Sequence, residues 1–140
     1  YKNAVQYMEM GHLVKRNSLI DSASSVNVNY REKNEKLVAS VESYTELHFA
    51  NPDLSLKSIA QTFNLSPTYL GKIFKSIKKC SYSVFLTNYR LERSKILLLE
   101  TSKPISEIAL EVGFANSSYY ATVFKGAYGM TPSVYRNNLK

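Results

Sequence analysis

Few side chains in this sequence suit covalent or metal chemistry. Cys80 is the sole cysteine, and His12 and His48 are the two histidines. One cysteine excludes an intramolecular disulfide, and three ligands this scattered do not build a Cys/His zinc site. No histidine lies near Cys80 in the chain, so a structural thiol is expected there rather than a nucleophile. The sequence therefore predicts no catalytic residue, no metal and no cofactor. What it holds in quantity is positive charge. Lys and Arg number 18 against 11 Asp and Glu, for a net +7. Residues 54–103 contain nine basic and two acidic side chains, which leaves the rest of the chain neutral. A stretch this basic suits a polyanion, because each phosphate it neutralises releases condensed counterions. A solvated lysine-rich surface is the competing reading.

Charge becomes a binding site only if folded elements hold it in place. The chain has 140 residues, 44% hydrophobic and 21% charged, a globular composition for one ordinary domain. No apolar run approaches the roughly 18 residues that span a bilayer. Without a disulfide or a signal peptide, a cytoplasmic location is the default expectation. The first residue is Tyr1 rather than Met, which suggests a piece of a longer protein. Residues 1–30 read as a linker or the tail of a missing regulatory domain. Val5, Met8, His12 and Leu13 share one side of a short helix there, and the Ser/Asn-rich stretch that follows reads as flexible. From Arg31 to Phe49 the spacing of Leu37, Val41, Tyr44 and His48 is helical, and Asn51-Pro52-Asp53 ends that helix.

The remaining sequence repeats itself. At a shift of 49, Ile59-Ala60 falls on Ile108-Ala109. At a shift of 50, Tyr69 falls on Tyr119, Phe74-Lys75 on Phe124-Lys125, and Ser83-Val84 on Ser133-Val134. The extra residue lies near Ala115 to Ser117. Two copies are too few for a solenoid and point to a two-lobed domain.

Each copy reads as two short helices about a tight turn. Ser55 caps a helix whose inner face is Leu56, Ile59, Ala60 and Phe63. Asn64, matched by Gly113, is a residue that accepts positive φ. Ser66-Pro67 then starts a second helix, with Leu70, Ile73, Phe74 and Ile77 turned inward. Ala60 and Ala109 let the two helix backbones approach closely. This is the pattern of a helix-turn-helix. One unit spans about residues 55–78 and the other about 104–128. Between them, residues 81–100 form one helix capped by Ser81, with Val84, Phe85, Tyr89, Ile96 and Leu99 among its apolar positions. At about 1.5 Å per residue that connector is roughly 30 Å long, close to the ~34 Å between successive major grooves on one face of B-DNA.

The segments LSLKSIAQTFNLSPTYLGKIFK, RLERSKILL, ISEIALEVGFANSSYYATVFK and GMTPSVYR resemble the DNA-binding domain of the AraC/XylS family of bacterial transcription regulators. The similarity covers about residues 36–139 and is more specific in its second half. It implies an all-α, seven-helix domain in which the connector holds two helix-turn-helix units. Both second helices would enter the DNA major groove. It also implies a sequence-specific, non-enzymatic regulator, with double-stranded DNA as partner, RNA polymerase as a further candidate, and a sensor, dimerisation or receiver domain ahead of it. The alternative is a helical protein-interaction module whose basic face meets an acidic partner. Three positions depart from the family pattern. Lys79 replaces a usual glycine, which predicts a junction bent differently from that at Gly129. Ser94 replaces an alanine and Gly126 a lysine.

The residues left outward on the second helices are the expected DNA contacts. In the first unit these are Pro67, Thr68, Gly71, Lys72 and Lys75. The resemblance puts Thr68, Gly71 and Lys72 at base-contact positions. Lys72 can donate to guanine O6/N7 or hold a phosphate, the Thr68 methyl can meet a thymine methyl, and Gly71 permits close approach. Lys75 suits a phosphate. In the second unit Asn116, Ser117, Ser118, Ala121, Thr122 and Lys125 face outward, while Tyr119, Tyr120, Val123 and Phe124 are expected inside. Asn116 can serve as helix cap instead of contact. The second helix has short side chains and suits reading of DNA shape and thymine methyls. Arg90 on the connector is expected to be a structural ion-pair partner.

Overall fold

A computed structural model describes residues 22–139 of the chain. Seven helices are present among the described residues, with no strand. They are α1 (Ser22–His48), α2 (Leu56–Thr62), α3 (Pro67–Lys78), α4 (Tyr82–Glu100), α5 (Ile105–Glu111), α6 (Ser117–Tyr128) and α7 (Pro132–Asn138). No described helix is long and apolar enough to cross a membrane.

α1 starts well before Arg31, so residue 30 is not a boundary of secondary structure. Ser and Asn are weak helix formers, but adding them to an established helix costs only a few tenths of a kcal/mol each, whereas starting a new helix is the costly step. The run Tyr30 to Lys36 supplies the established helix. The short helix expected around Val5 to Leu13 lies outside the described residues.

The caps follow the sequence closely. Ser55, Ser66, Ser81 and Thr131 each accept a backbone N–H at the start of α2, α3, α4 and α7. Ser58 completes a reciprocal capping box with Ser55, with both bonds near 3 Å. Asn64 and Gly113 both have positive φ at the turns of the two units, at 59° and 101°. The bend expected at Lys79 is absent: Lys79 (φ 65°) and Gly129 (φ 78°) end α3 and α6 in the same left-handed conformation. Lys79 tolerates the strain because its N–H donates to Lys75 O at 2.9 Å, as Gly129 donates to Lys125 O.

Two apolar cores result. One gathers Val38, Val41, Ile59, Ala60, Leu70, Phe74, Tyr82 and Leu86 from α1 to α4. The other gathers Leu91, Leu98, Ile108, Ala109, Val112, Phe114, Tyr120 and Phe124 from α4 to α6. α4 serves both, burying Tyr82 and Leu86 on one side and Leu91 and Leu98 on the other. Of its expected apolar positions, Val84, Ile96 and Leu99 are exposed. Phe49 packs against both cores and is the apolar link between the lobes.

Arg90 holds this junction, though not as an ion pair. It is 9% exposed and donates from Nε to Phe49 O (2.9 Å) and from Nη2 to Asn51 O (2.8 Å), closing the end of α1 onto α4. Arg136 repeats the device in the second lobe. Its guanidinium donates to the carbonyls of Leu98, Thr101 and Lys103 at the end of α4. In each lobe an arginine from the helix after the turn unit ties down carbonyls at and just beyond the end of the helix before it.

Candidate nucleic-acid interface

The buried side of α3 is Leu70, Ile73 and Phe74. At 100° per residue, Thr68, Lys72 and Lys75 fall within a sector about 60° wide on the opposite side. All three are exposed, as is Pro67 at the first turn. α6 repeats the arrangement, with Tyr120 and Phe124 buried and Ser118, Thr122 and Lys125 exposed on the far side. The repeat thus produces two matched outward sectors, one on each second helix. α4, which joins the units, has 19 residues and is roughly 28 Å long.

Four of the expected contact residues have structural work or limited exposure. Gly71 is half-buried, and a Cβ built on it would lie 3.1 Å from Leu56 Cδ2. Its missing side chain admits α2, not only an outside ligand. Ala121, its counterpart, is also half-buried, as is Ser117. Asn116 caps α6, accepting from Tyr119 N at 2.8 Å, and remains exposed.

The basic stretch is sorted by its partners. Lys78 pairs with Glu42 at 3.2 Å, Lys103 with Glu111 at 2.9 Å, and Lys95 with Glu92 at 3.5 Å. Lys95 also lies over the Tyr128 ring at 4.5 Å, and Arg93 over Phe49 at 5.7 Å. Arg90 is buried, and desolvation pulls its pKa below the usual guanidinium range, with Tyr82 and Tyr119 acting the other way. Lys57, Lys72, Lys75 and Lys79 are exposed and pair with no carboxylate among the described residues. All four belong to the first unit or its end, whereas the second helix of the other unit offers Lys125. The net charge of residues 54–103 therefore overstates the cation field, which is concentrated on the first unit.

Tyr119 is not buried. It is 55% exposed, while Tyr120 beside it is fully buried. Tyr69, its counterpart, is 46% exposed. The repeat holds the signal for this: Tyr120 matches Leu70, a core residue, so Tyr119 matches the position before it. Both tyrosines flank the outward sectors and were absent from the expected contacts. Cys80 is a half-buried free thiol between α3 and α4. No group of three or more His, Cys, Asp or Glu among the described residues is arranged to hold a metal.

A family profile described as a helix-turn-helix domain matches residues 59–138. The chain is 33% identical over 100 residues to the bifunctional transcriptional activator/DNA repair enzyme AdaA of Bacillus subtilis, covering 71% of this chain and 47% of that protein. It spans less than half the length of the curated relatives it matches. Among solved structures, the C-terminal domain of AraT, a response regulator from Geobacillus stearothermophilus, superposes with a TM-score of 0.71 at 40% identity, covering 72% of this chain and 84% of that one. A transcriptional regulator of Chromobacterium violaceum, one of the AraC-type DNA-binding domain-containing proteins, superposes with a TM-score of 0.66 at 26% identity, covering 73% of this chain and 90% of that one.

Proposed function

Given that the chain belongs to the AraC-type helix-turn-helix family and is a DNA-binding domain of transcription regulators, we propose that it reads an asymmetric duplex site with α3 and α6 in successive major grooves. The observation that carries this is the pair of matched outward sectors, Thr68/Lys72/Lys75 and Ser118/Thr122/Lys125, on one continuous scaffold. The two sectors are not identical, so a strictly palindromic site does not suit them. Lys75 holds a phosphate and Lys72 reads a base edge. Pro67 and Gly71 bring the backbone of α3 near the groove. Asn116, Ser117, Ala121 and Thr122 line the α6 side with short groups that favour shape and thymine methyls. Transcriptional output belongs to a longer protein, with a regulatory domain ahead of α1 and RNA polymerase as a further partner. The greater length of the relatives supports this. The family is one of DNA-binding regulators rather than enzymes, and Cys80→Ser is expected to leave DNA binding unchanged.

Site selection from random duplex DNA, followed by titration across salt, tests the proposal. Lys75→Ala weakens binding about equally on all sequences and lowers the log–log salt slope by about one. Lys72→Ala also shifts preference at one base position by about 1–3 kcal/mol. Identical selectivity for the two variants removes the base-reading role of Lys72. Binding to acidic polypeptides and not to duplex DNA favours the interaction-module alternative.

A further inference from the structure

We propose that Tyr69 and Tyr119 are a matched pair of uncharged phosphate clamps, each hydroxyl donating to the DNA backbone beside its recognition helix. The inference rests on the DNA-binding reading above and deepens it.

The tyrosines of the fold divide by what their rings and hydroxyls do. The Tyr82 hydroxyl meets Thr45 Oγ1 at 2.7 Å, and the Tyr128 hydroxyl donates to Glu92 Oε1 at 2.8 Å. The Tyr44, Tyr89 and Tyr135 rings are packed on His48, Phe49 and Phe124. Tyr69 and Tyr119 are set apart by exposure, which among the described tyrosines they share with Tyr30 of α1 alone. They are about half exposed, and neither hydroxyl has a hydrogen-bond partner among the described residues. They occupy the same position, the third residue of α3 and of α6, and coincide in the sequence repeat.

Their backbones are fixed by the helix caps. Tyr69 N donates to Ser66 Oγ at 3.1 Å and Tyr119 N to Asn116 Oδ1 at 2.8 Å. The Tyr119 ring is further propped against Phe114, with centroids 6.1 Å apart. On the helical wheel each lies about 90° from the centre of the outward sector. When a helix lies in the major groove, the sector centre faces base edges and its flanks face the sugar–phosphate strands. A tyrosine on the flank of the first turn therefore places an O–H donor within reach of phosphate. Its ring spends little rotamer entropy on the contact. A hydroxyl donates without the positive charge of a lysine, so it adds affinity without releasing a counterion. This separates it from the lysine contacts in a measurable way. It also gives the cation-poor second unit a backbone anchor that does not depend on charge.

The test uses residues 1–140 and duplex DNA chosen by selection with the unaltered chain. Tyr69→Phe and Tyr119→Phe keep the ring and remove only the hydroxyl. Each is expected to weaken binding about tenfold, with an unchanged melting temperature, an unchanged base-preference profile and an unchanged salt slope. The double variant loses about the product of the two, since the sites lie in different lobes. Affinity equal to the unaltered chain overturns the clamp. So does a changed base preference, which would make the tyrosine a base reader, or a changed salt slope. If the unaltered chain selects no duplex at all, the DNA-binding reading itself fails, an outcome distinct from the other three.

Discussion

At the turn of the first unit Asn64 is exposed and takes φ 59°, within reach of an ordinary left-handed residue. At the turn of the second unit Gly113 is buried and takes φ 101°. A Cβ on Gly113 would overlap Phe49 O and approach Arg90 Nε to 2.7 Å. The same backbone pattern is therefore set by local conformation in one copy and by long-range packing in the other. The second turn sits on the Arg90–Phe49 junction that joins the lobes, while the first faces solvent. A duplicated unit has thus kept its internal geometry and acquired different neighbours. Its charges diverged as well, with four exposed lysines at the first unit and Lys125 on the second recognition helix.

The largest expected effect breaks this difference directly. Gly113→Ala should destabilise the domain by about 3 kcal/mol or more, since a side chain there must displace backbone and the buried guanidinium as well as strain φ. Asn64→Ala should cost only about 1 kcal/mol, the left-handed penalty alone. Urea unfolding of both variants measures the gap. Equal losses would mean that the contact of Gly113 with Phe49 and Arg90 does not matter to the fold.

Where structure is governed by neighbours a few residues away, the sequence was readable. Ser55, Ser66 and Ser81 announce their caps, Ala60 and Ala109 the close helix approach, and Asn64 and Gly113 the turns. The outward sectors of α3 and α6 follow from helical period and the repeat. What escaped is what distant residues decide. Arg90 reads as an ion-pair partner because carboxylates are its commonest partners, yet its nearest acceptors are the carbonyls of Phe49 and Asn51, 41 and 39 residues away. Gly71 reads as open space for DNA, whereas Leu56 of α2 stands against it. Tyr119 and Tyr120 are both apolar enough for a core, and composition alone does not separate them; the repeat does, by setting Tyr120 on the buried Leu70. The start of α1 at Ser22 defies composition, because a growing helix tolerates residues that would never begin one.

A second, smaller contrast lies in the cores. Tyr82 of the first core hydrogen-bonds Thr45. Tyr120 of the second is fully buried and its hydroxyl has no partner of good geometry. Ser94 offsets part of the rise that burial imposes on the Tyr120 pKa, but its own hydroxyl already donates to Leu91 O at 2.7 Å. Tyr82→Phe is expected to cost about 1 kcal/mol. Tyr120→Phe should be neutral or slightly stabilising, because it removes a desolvated hydroxyl without orphaning another group. Thermal unfolding of the pair decides this, and a Tyr120→Phe loss as large as that of Tyr82→Phe would place a hydrogen bond on Tyr120 after all.

The smallest expected effects compare glycines inside the recognition helices. Gly126 lies in α6 with nothing within 4 Å of a built Cβ, where the first unit has Ser76. Gly71 lies in α3 with Leu56 Cδ2 at 3.1 Å. Glycine weakens a helix interior by about 0.5–1 kcal/mol relative to alanine, mainly through unfolded-state entropy. Gly126→Ala should recover that amount in full, raising the melting temperature by a few degrees, on the order of 4 °C. Gly71→Ala gains the same entropy but must push the Leu56 methyl aside by a few tenths of an ångström, so its net change should lie near zero. The signs matter more than the sizes. A gain at Gly126 together with none at Gly71 shows α6 to be limited by its own composition and α3 by its packing on α2. A gain at both means that Leu56 moves freely, and Gly71 then becomes available as a position at which a larger side chain could be tested against the groove.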